Sequence, residues 1–305
     1  MVKIILIVIF SVLGFSLLAF LFLLAFLAHH VAYPKLFTMQ ETEETEKKKN
    51  LWFAYDEYRK EEIVIPSFDG YLIHGTLVFN PLPSQKYVII SHGYTYTRYG
   101  SLKYLDIFIK EGYNVFIYDD RGHGENKRTA CTMGLKEGKD LNWIIAYIHR
   151  RFGDEITLGL HGESMGAALS LMALKFHPKL DFVFADCPYE GLEDVLAHQL
   201  KIHFHLPKFL VRLSGKMGKL LYGYDYCRIH TGSALKGNRI PICFMHGIED
   251  TFVPCQHSER LAKCTEGYSE VHLFPGAEHA LSFTLHPEEY RKDVHEFLEK
   301  IRKEK

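Results

Sequence analysis

Ile156-Thr157-Leu158-Gly159-Leu160 is followed, after His161, by Gly162-Glu163-Ser164-Met165-Gly166 and then by a largely apolar run from Ala167 to Phe176 that His177-Pro178 closes. The first five residues predict a buried strand, the later run a helix, and the glycine-flanked serine a sharp turn between them. A serine on so tight a bend leaves no room for side chains on its neighbours, which is a steric reason for glycine at 162 and 166. The bend lifts the Ser164 hydroxyl clear of the backbone. The helix starting at Met165 adds the field of its N-terminus and a backbone N–H able to bind a developing oxyanion. Ser164 is therefore a candidate nucleophile, with an ordinary glycine turn as the alternative.

Working outward, Glu62–Pro66 and Tyr71–Phe79 flank Asp69-Gly70 and predict an antiparallel hairpin. Strands are then expected at Tyr87–Ser91, Asn114–Tyr118, Phe182–Ala185, Pro241–Met245 and Val271–Phe274, and helices at Leu102–Glu111, Lys139–Arg151 and Pro287–Ile301. This alternation predicts an α/β fold: a mostly parallel central sheet with helices on both faces. It breaks between Pro188 and Leu235. There Leu192, Val195, Leu196 and Leu200 recur at helical spacing, as a helical lid over the strand ends or as extra helices with an apolar core stripe.

The uncharged run from Ile4 to Ala28 exceeds the roughly 20 apolar residues that cross a bilayer as a helix, and no clean small-x-small cleavage site follows it. The expected organisation is a transmembrane anchor at 1–30, a juxtamembrane linker at 31–60 and a catalytic domain at 61–305 that includes the lid at 188–235. The expected localisation is single-pass membrane, with the N-terminus cytoplasmic and the bulk of the chain outside; Lys3 on one side and Lys35 on the other fix this weakly. Gln40 to Asn50 reads as a solvated linker or an exposed helix. The cluster Trp52, Phe53, Tyr55 and Tyr58 fits either a membrane interface or packing on the domain.

With 305 residues, 47% of them hydrophobic, the chain can bury one large core, and a net charge of -1 offers no broad attraction to nucleic acid. The six cysteines include no C-x-x-C pair, so neither a zinc site nor a disulfide framework is indicated. There is no H-E-x-x-H and no phosphate loop, and His203-x-His205 lacks a nearby carboxylate or cysteine partner. No cofactor and no metal is expected.

An elbow serine needs a base, and the base an orienting carboxylate, delivered from loops at the C-terminal ends of strands in the order Ser, acid, His. After Pro241–Met245 comes His246-Gly247-Ile248-Glu249-Asp250, and after Val271–Phe274 comes Pro275-Gly276-Ala277-Glu278-His279. Asp250 and His279 are thus candidates. Asp186, ending the strand after the elbow, is a rival acid, and Glu249 adjoins Asp250 but would point elsewhere. His161, His246 and His272 read as packing or hydrogen-bonding residues.

With Ser91-His92-Gly93-Tyr94, Asp119-Asp120-Arg121-Gly122-His123-Gly124, Gly162 to Gly166, Asp250 with Val253-Pro254, and Gly276 with His279, the chain from about Glu61 onward resembles the α/β-hydrolases. Within them it resembles the serine esterase-like branch that includes bacterial cinnamoyl (feruloyl) esterases and relatives of the prolyl-oligopeptidase catalytic domain. The resemblance implies Ser164 as nucleophile, His279 as general base and then acid, Asp250 as the group fixing its tautomer, and the N–H groups of Met165 and Tyr94 as oxyanion hole. The Asp119 to Gly124 loop would support the site through turn geometry. Leu196, Leu200, Phe204, Phe209, Leu210, Tyr222 and Tyr224 suggest an apolar or aromatic acyl pocket, hence hydrolysis of a small-molecule carboxylic ester. The alternatives are a serine peptidase, a lipid or acyl-ester hydrolase, and a membrane-tethered binding module on a hydrolase fold.

Overall fold

The computed structural model describes residues 1–303. In chain order the elements are α1 (Val2–Ala32), α2 (Met39–Lys48), β1 (Lys60–Pro66), β2 (Leu72–Val78), β3 (Lys86–Ser91), α3 (Leu105–Lys110), β4 (Asn114–Tyr118), α4 (Glu137–Phe152), β5 (Thr157–Glu163), α5 (Met165–Ala173) and β6 (Phe182–Asp186). They continue with α6 (Leu192–Phe204), α7 (Phe209–Tyr222), β7 (Ile242–Gly247), α8 (Gln256–Ala262), β8 (Ser269–Phe274), α9 (Ser282–Leu285) and α10 (Pro287–Lys303). One eight-stranded sheet runs β1-β2-β4-β3-β5-β6-β7-β8. β1 pairs antiparallel with β2, from Lys60 opposite Val78 to Pro66 opposite Leu72, and β2 pairs antiparallel with β4; every later pairing is parallel.

Strands covered on both faces must be apolar on both, and period-2 alternation decides which core each side chain joins. In β6, Val183 and Ala185 enter the core shared with α4 and α5, whereas Phe182 and Phe184 enter the core beneath α3 and α10. Fully burying one such phenylalanine contributes roughly 1.5–3 kcal/mol.

The turn from Ser67 to Tyr71 closes the hairpin through Ser67 N–H donating to Tyr71 O at 2.8 Å, with Gly70 at φ +79°. Arg121 clamps that turn, donating to both Asp69 oxygens at 3.0 Å and to Asp140 at 2.6 and 2.8 Å. Asp119 accepts from the backbone N–H of Arg98 at 2.7 Å and of Glu125 at 3.0 Å. A Cβ on Gly124 would lie 2.1 Å from the Asp119 carboxyl carbon, so the loop closes tightly there.

Two segments, α1 and residues 40–50, depart from the sequence reading. In 188–235, where the alternation breaks and helices are expected, α6 forms first and α7 follows it over 209–222. The glycines of α7 are contact points, since a Cβ on Gly215 would lie 2.5 Å from Asp225 Oδ1 and 2.7 Å from Cys227 Sγ. α1 does not end its packing at residue 30: Leu24, Ala28 and Ala32, one turn apart, are buried, and α1 lies along α7. Residues 40–50 are not wholly solvated either. Thr38 and Glu41 cap α2 reciprocally, at 3.1 and 2.8 Å, while Thr42 and Glu46 are buried. The aromatic cluster after α2 packs on the body, Trp52 and Tyr99 meeting edge-on at 5.2 Å and Phe53 and Phe283 at 6.1 Å.

Burial pushes the Glu46 carboxyl up to about 7, with the charges of Lys103 and Lys49 opposing the rise and that of Glu163 adding to it. A raised acid holds a proton in the folded state that the unfolded chain has released, so stability falls as pH rises from about 4.5 towards 7. Glu46→Gln removes that loss. Its melting temperature relative to the unaltered chain is expected to be higher at pH 8 than at pH 5; an equal difference at both would show that Glu46 does not titrate in this window.

Candidate active site

β5 delivers its chain into the turn at Ser164, which sits at φ +55° and ψ -112° before α5 begins. Backbone strain of this kind costs roughly 1–3 kcal/mol and persists only where surroundings enforce it. Here they do. Ser164 N–H donates to Asp186 O at 2.8 Å, and Ala168 N–H donates to Ser164 O at 3.0 Å. A Cβ on Gly162 would lie 2.2 Å from Gly166 O, and one on Gly166 would lie 2.2 Å from Ser91 O. Both glycines are therefore required by backbone contact.

Ser164 Oγ lies 2.8 Å from His279 Nε2, and His279 Nδ1 lies 2.6 Å from Asp250 Oδ2. With Nδ1–H donating to the carboxylate, Nε2 is free to accept from the serine hydroxyl. The Asp250 carboxylate also accepts from the backbone N–H groups of Phe252 and Val253, at 2.9 and 2.7 Å. Burial alone would raise this carboxyl, but hydrogen bonds from His246 and His279, the His279 charge and the Val253 N–H hold it at about 2. It is ionised throughout the neutral range.

The loops carrying the acid and the imidazole brace each other. Glu249 points away from His279, its carboxylate accepting from Gly276 N–H at 2.6 Å, and Glu249 N–H donates to Ala277 O at 3.1 Å. Lys103 Nζ donates to Ala280 O at 3.2 Å. Asp186 does not reach His279; it meets the hydroxyls of Tyr104 at 2.9 Å and Tyr290 at 3.1 Å. Burial, then the charge of Glu163, lifts Asp186 to about 6. Tyr104 also lies 2.6 Å from Glu163, and Glu163 pairs with Lys103, so a buried polar layer underlies the elbow.

His246, read from the sequence as a packing or hydrogen-bonding residue, bonds to the acid itself. Its Nδ1 meets Ser258 Oγ at 2.7 Å, and its Nε2 lies 2.7 Å from Val253 O and 3.2 Å from Asp250 Oδ2, a second nitrogen on the carboxylate. Its place at the end of β7, four residues before Asp250, is the signal that could have marked it. His161 and His272 bond elsewhere, to Tyr290 at 2.9 Å and to Glu270 at 3.0 Å.

Tyr94 follows β3, and His92 holds that loop by accepting from Asp120 N–H at 2.9 Å. Burial drives the His92 imidazole down to about 4, so it is neutral and able to accept. Among the described residues, the backbone N–H groups of Tyr94 and Met165 donate to no protein acceptor.

A cavity of about 460 Å³ opens at Ser164. Its walls come from α6, α7, the Phe252-Val253 turn and Tyr94, and also from Leu27, His30 and Val31 of α1. Among the described residues, no aspartate or glutamate lines it. Cys187, Asp250 and His279 place ligand-type atoms within 4.8 Å of one another. Burial holds the Cys187 thiol well above its usual range, and the imidazole nitrogen facing Asp250 is already engaged, so this donor set suits hydrogen bonding better than a cation.

Residues 83–224 match the family model described as serine aminopeptidase, S33. Over 261 residues the chain is 32% identical to the uncharacterized protein YqkD of Bacillus subtilis, covering 85% of each. The chain belongs to the α/β-hydrolase superfamily. This hydrolase is also 27% identical over 201 residues to an uncharacterized membrane protein of Saccharomyces cerevisiae, YNL320W, covering 64% of each. Among solved structures it is similar to the Pyrococcus furiosus esterase Pf2001, with a TM-score of 0.67 and 26% identity over 83% of this chain and 93% of that one. It shares its fold with Est1E of Butyrivibrio proteoclasticus bound to ferulic acid, with a TM-score of 0.62 and 16% identity over 78% of this chain and 98% of that one.

Proposed function

We propose that this α/β-hydrolase cleaves carboxylic esters through an acyl-enzyme on Ser164. The observation that carries the reading is the hydrogen-bonded series from Asp250 through His279 to a serine on an enforced elbow, at 2.6 and 2.8 Å. Ser164 Oγ attacks the carbonyl carbon as its proton passes to His279 Nε2, and the Met165 and Tyr94 N–H groups receive the oxyanion. His279 then protonates the departing alkoxide. Water, deprotonated by the same imidazole, releases the acid and restores the serine. In this reading residues 61–305 carry the hydrolase domain, 188–235 form its lid, and α1 anchors it in a membrane with the body outside the cytoplasm. Protease added to intact cells would digest the body in that topology, and full protection would reverse it.

The name of the matched family favours a second reading, an aminopeptidase. Such an enzyme must hold a free ammonium group, and a buried cation requires an opposite charge. The absence of an acid among the cavity's lining residues supports esters instead. The test is a fluorophosphonate label located by peptide mass analysis, followed by a screen of matched esters and aminoacyl amides. Labelling of Ser164 with ester turnover is expected. Faster cleavage of aminoacyl amides would hand the site to the second reading, and a folded chain without label or turnover would favour a binding module.

A further inference from the structure

Residues 2 to 22 of α1 are all exposed, and Ile4 to Phe22 are uncharged. At about 1.5 Å per residue these positions span about 32 Å, close to the roughly 30 Å of a bilayer's hydrocarbon core. The same helix continues without a break into the hydrolase body. Leu24, Ala28 and Ala32 bury against it, and Leu27, His30 and Val31 line the cavity that opens at Ser164. Leu27 lies five residues, or about 7 Å of helix rise, beyond Phe22.

This junction is braced. Tyr94 Oη donates to Val31 O at 2.9 Å, Cys131 N–H to Ala32 O at 2.8 Å, Arg128 to Pro34 O at 2.6 Å, and Phe37 N–H to Thr95 O at 3.0 Å. The residue proposed to supply one oxyanion donor thus ties the end of α1 to the site through its own side chain. Tyr222, at the C-terminal end of α7, lies 2.8 Å from His29, near the C-terminal end of α1. α7 packs along α1, and Phe204 lines the cavity together with Leu27 and Val31. Ile202, Phe204 and Phe209, at the end of α6 and the start of α7, are exposed. Large apolar side chains there suit a hydrocarbon boundary rather than water.

We infer that the substrate is a membrane lipid ester, whose acyl chain passes from the bilayer into the cavity between α1, α6 and α7 while its carbonyl meets Ser164. The inference rests on the proposed ester chemistry at Ser164 and adds its substrate class. α1 becomes a wall of the acyl site as well as an anchor. The absence of acidic side chains from the lining suits a chain that brings no charge of its own.

The test uses the full chain reconstituted in phosphatidylcholine vesicles, with p-nitrophenyl acetate and decanoate as probes and released fatty acid as a second readout. Two variants, Leu27→Trp and the smaller Val31→Phe, intrude on the α1 wall, and fluorophosphonate labelling of Ser164 reports that each remains folded. The expected result is fatty-acid release by the unaltered chain and a fall of at least tenfold in the decanoate-to-acetate ratio of kcat/KM in a labelled variant. A ratio within twofold of the unaltered chain in both labelled variants would overturn the α1 wall. Turnover of acetate or an aromatic ester with none of decanoate or vesicle lipid would overturn the lipid class, leaving the ester reading standing. A folded, unaltered chain that neither labels at Ser164 nor turns over any ester would overturn the ester reading and this inference with it.

Discussion

Ser164→Ala is expected to lower ester turnover by roughly 10⁴- to 10⁶-fold and to abolish fluorophosphonate labelling while leaving the melting temperature nearly unchanged. The substitution deletes one oxygen whose recorded partner is His279 Nε2 at 2.8 Å. It leaves intact the glycine contacts that enforce the bend. Alanine and serine meet the same backbone penalty at φ +55°, so no new strain is introduced. His279→Ala is expected to be similarly damaging, and the double variant scarcely worse than either alone, because groups acting in one proton transfer lose their effect together. A Ser164→Ala chain that keeps more than a tenth of its turnover would remove this serine from the mechanism.

Asp250→Asn is expected to cost roughly 10³- to 10⁴-fold in kcat, with a smaller effect on KM, because the amide places its NH₂ or its oxygen against donors that need a full carboxylate. Asp250 Oδ1 receives two backbone N–H groups and Oδ2 faces His279 and His246, so one of these contacts is disrupted whichever way the amide is turned. The same site makes a pH statement. Asp250 is depressed in the fold to about 2 from an ordinary 3.8, so its stabilisation is fully present above about pH 4 and is lost as pH falls through about 2. The difference corresponds to about 2 kcal/mol. The gap in melting temperature between the two proteins should therefore hold constant from pH 7 to 5 and narrow below 4. A gap that persists unchanged to pH 3 would mean that lost packing, not lost charge, destabilises the variant.

Much of the fold is legible locally. β3 and β6 are short runs of apolar residues because both sheet faces are covered, and a run of that kind between turn residues can be recognised without knowing its neighbours. The elbow can be recognised because Gly162 and Gly166 are demanded by contacts within a few residues of Ser164. The glycines of α7 could not be read this way, although helices were expected in its segment. Gly215 and Gly218 lower helix propensity by roughly 1 kcal/mol each relative to alanine, and the approach of the 224–227 segment accounts for their presence. Glu46 is a similar case. In QETEETEKKK it looks like one solvated charge among many, and its burial depends on packing against residues about fifty positions later.

Order along the chain named Ser164, Asp250 and His279 as candidates, and the α/β class followed from alternating strand and helix patterns, since hydrophobic period and glycine sterics act over a few residues. Distance across the chain decided the rest. Asp250 rather than Asp186 faces His279 because β7 and β8 end side by side, while the Asp186 carboxylate turns to two tyrosines. α1 borders the cavity because Leu24, Ala28 and Ala32 find α7 nearly two hundred residues away, a contact that no local pattern encodes. An apolar helix carries the same signal whether its last turns meet lipid or protein, and only the tertiary structure supplies the partner.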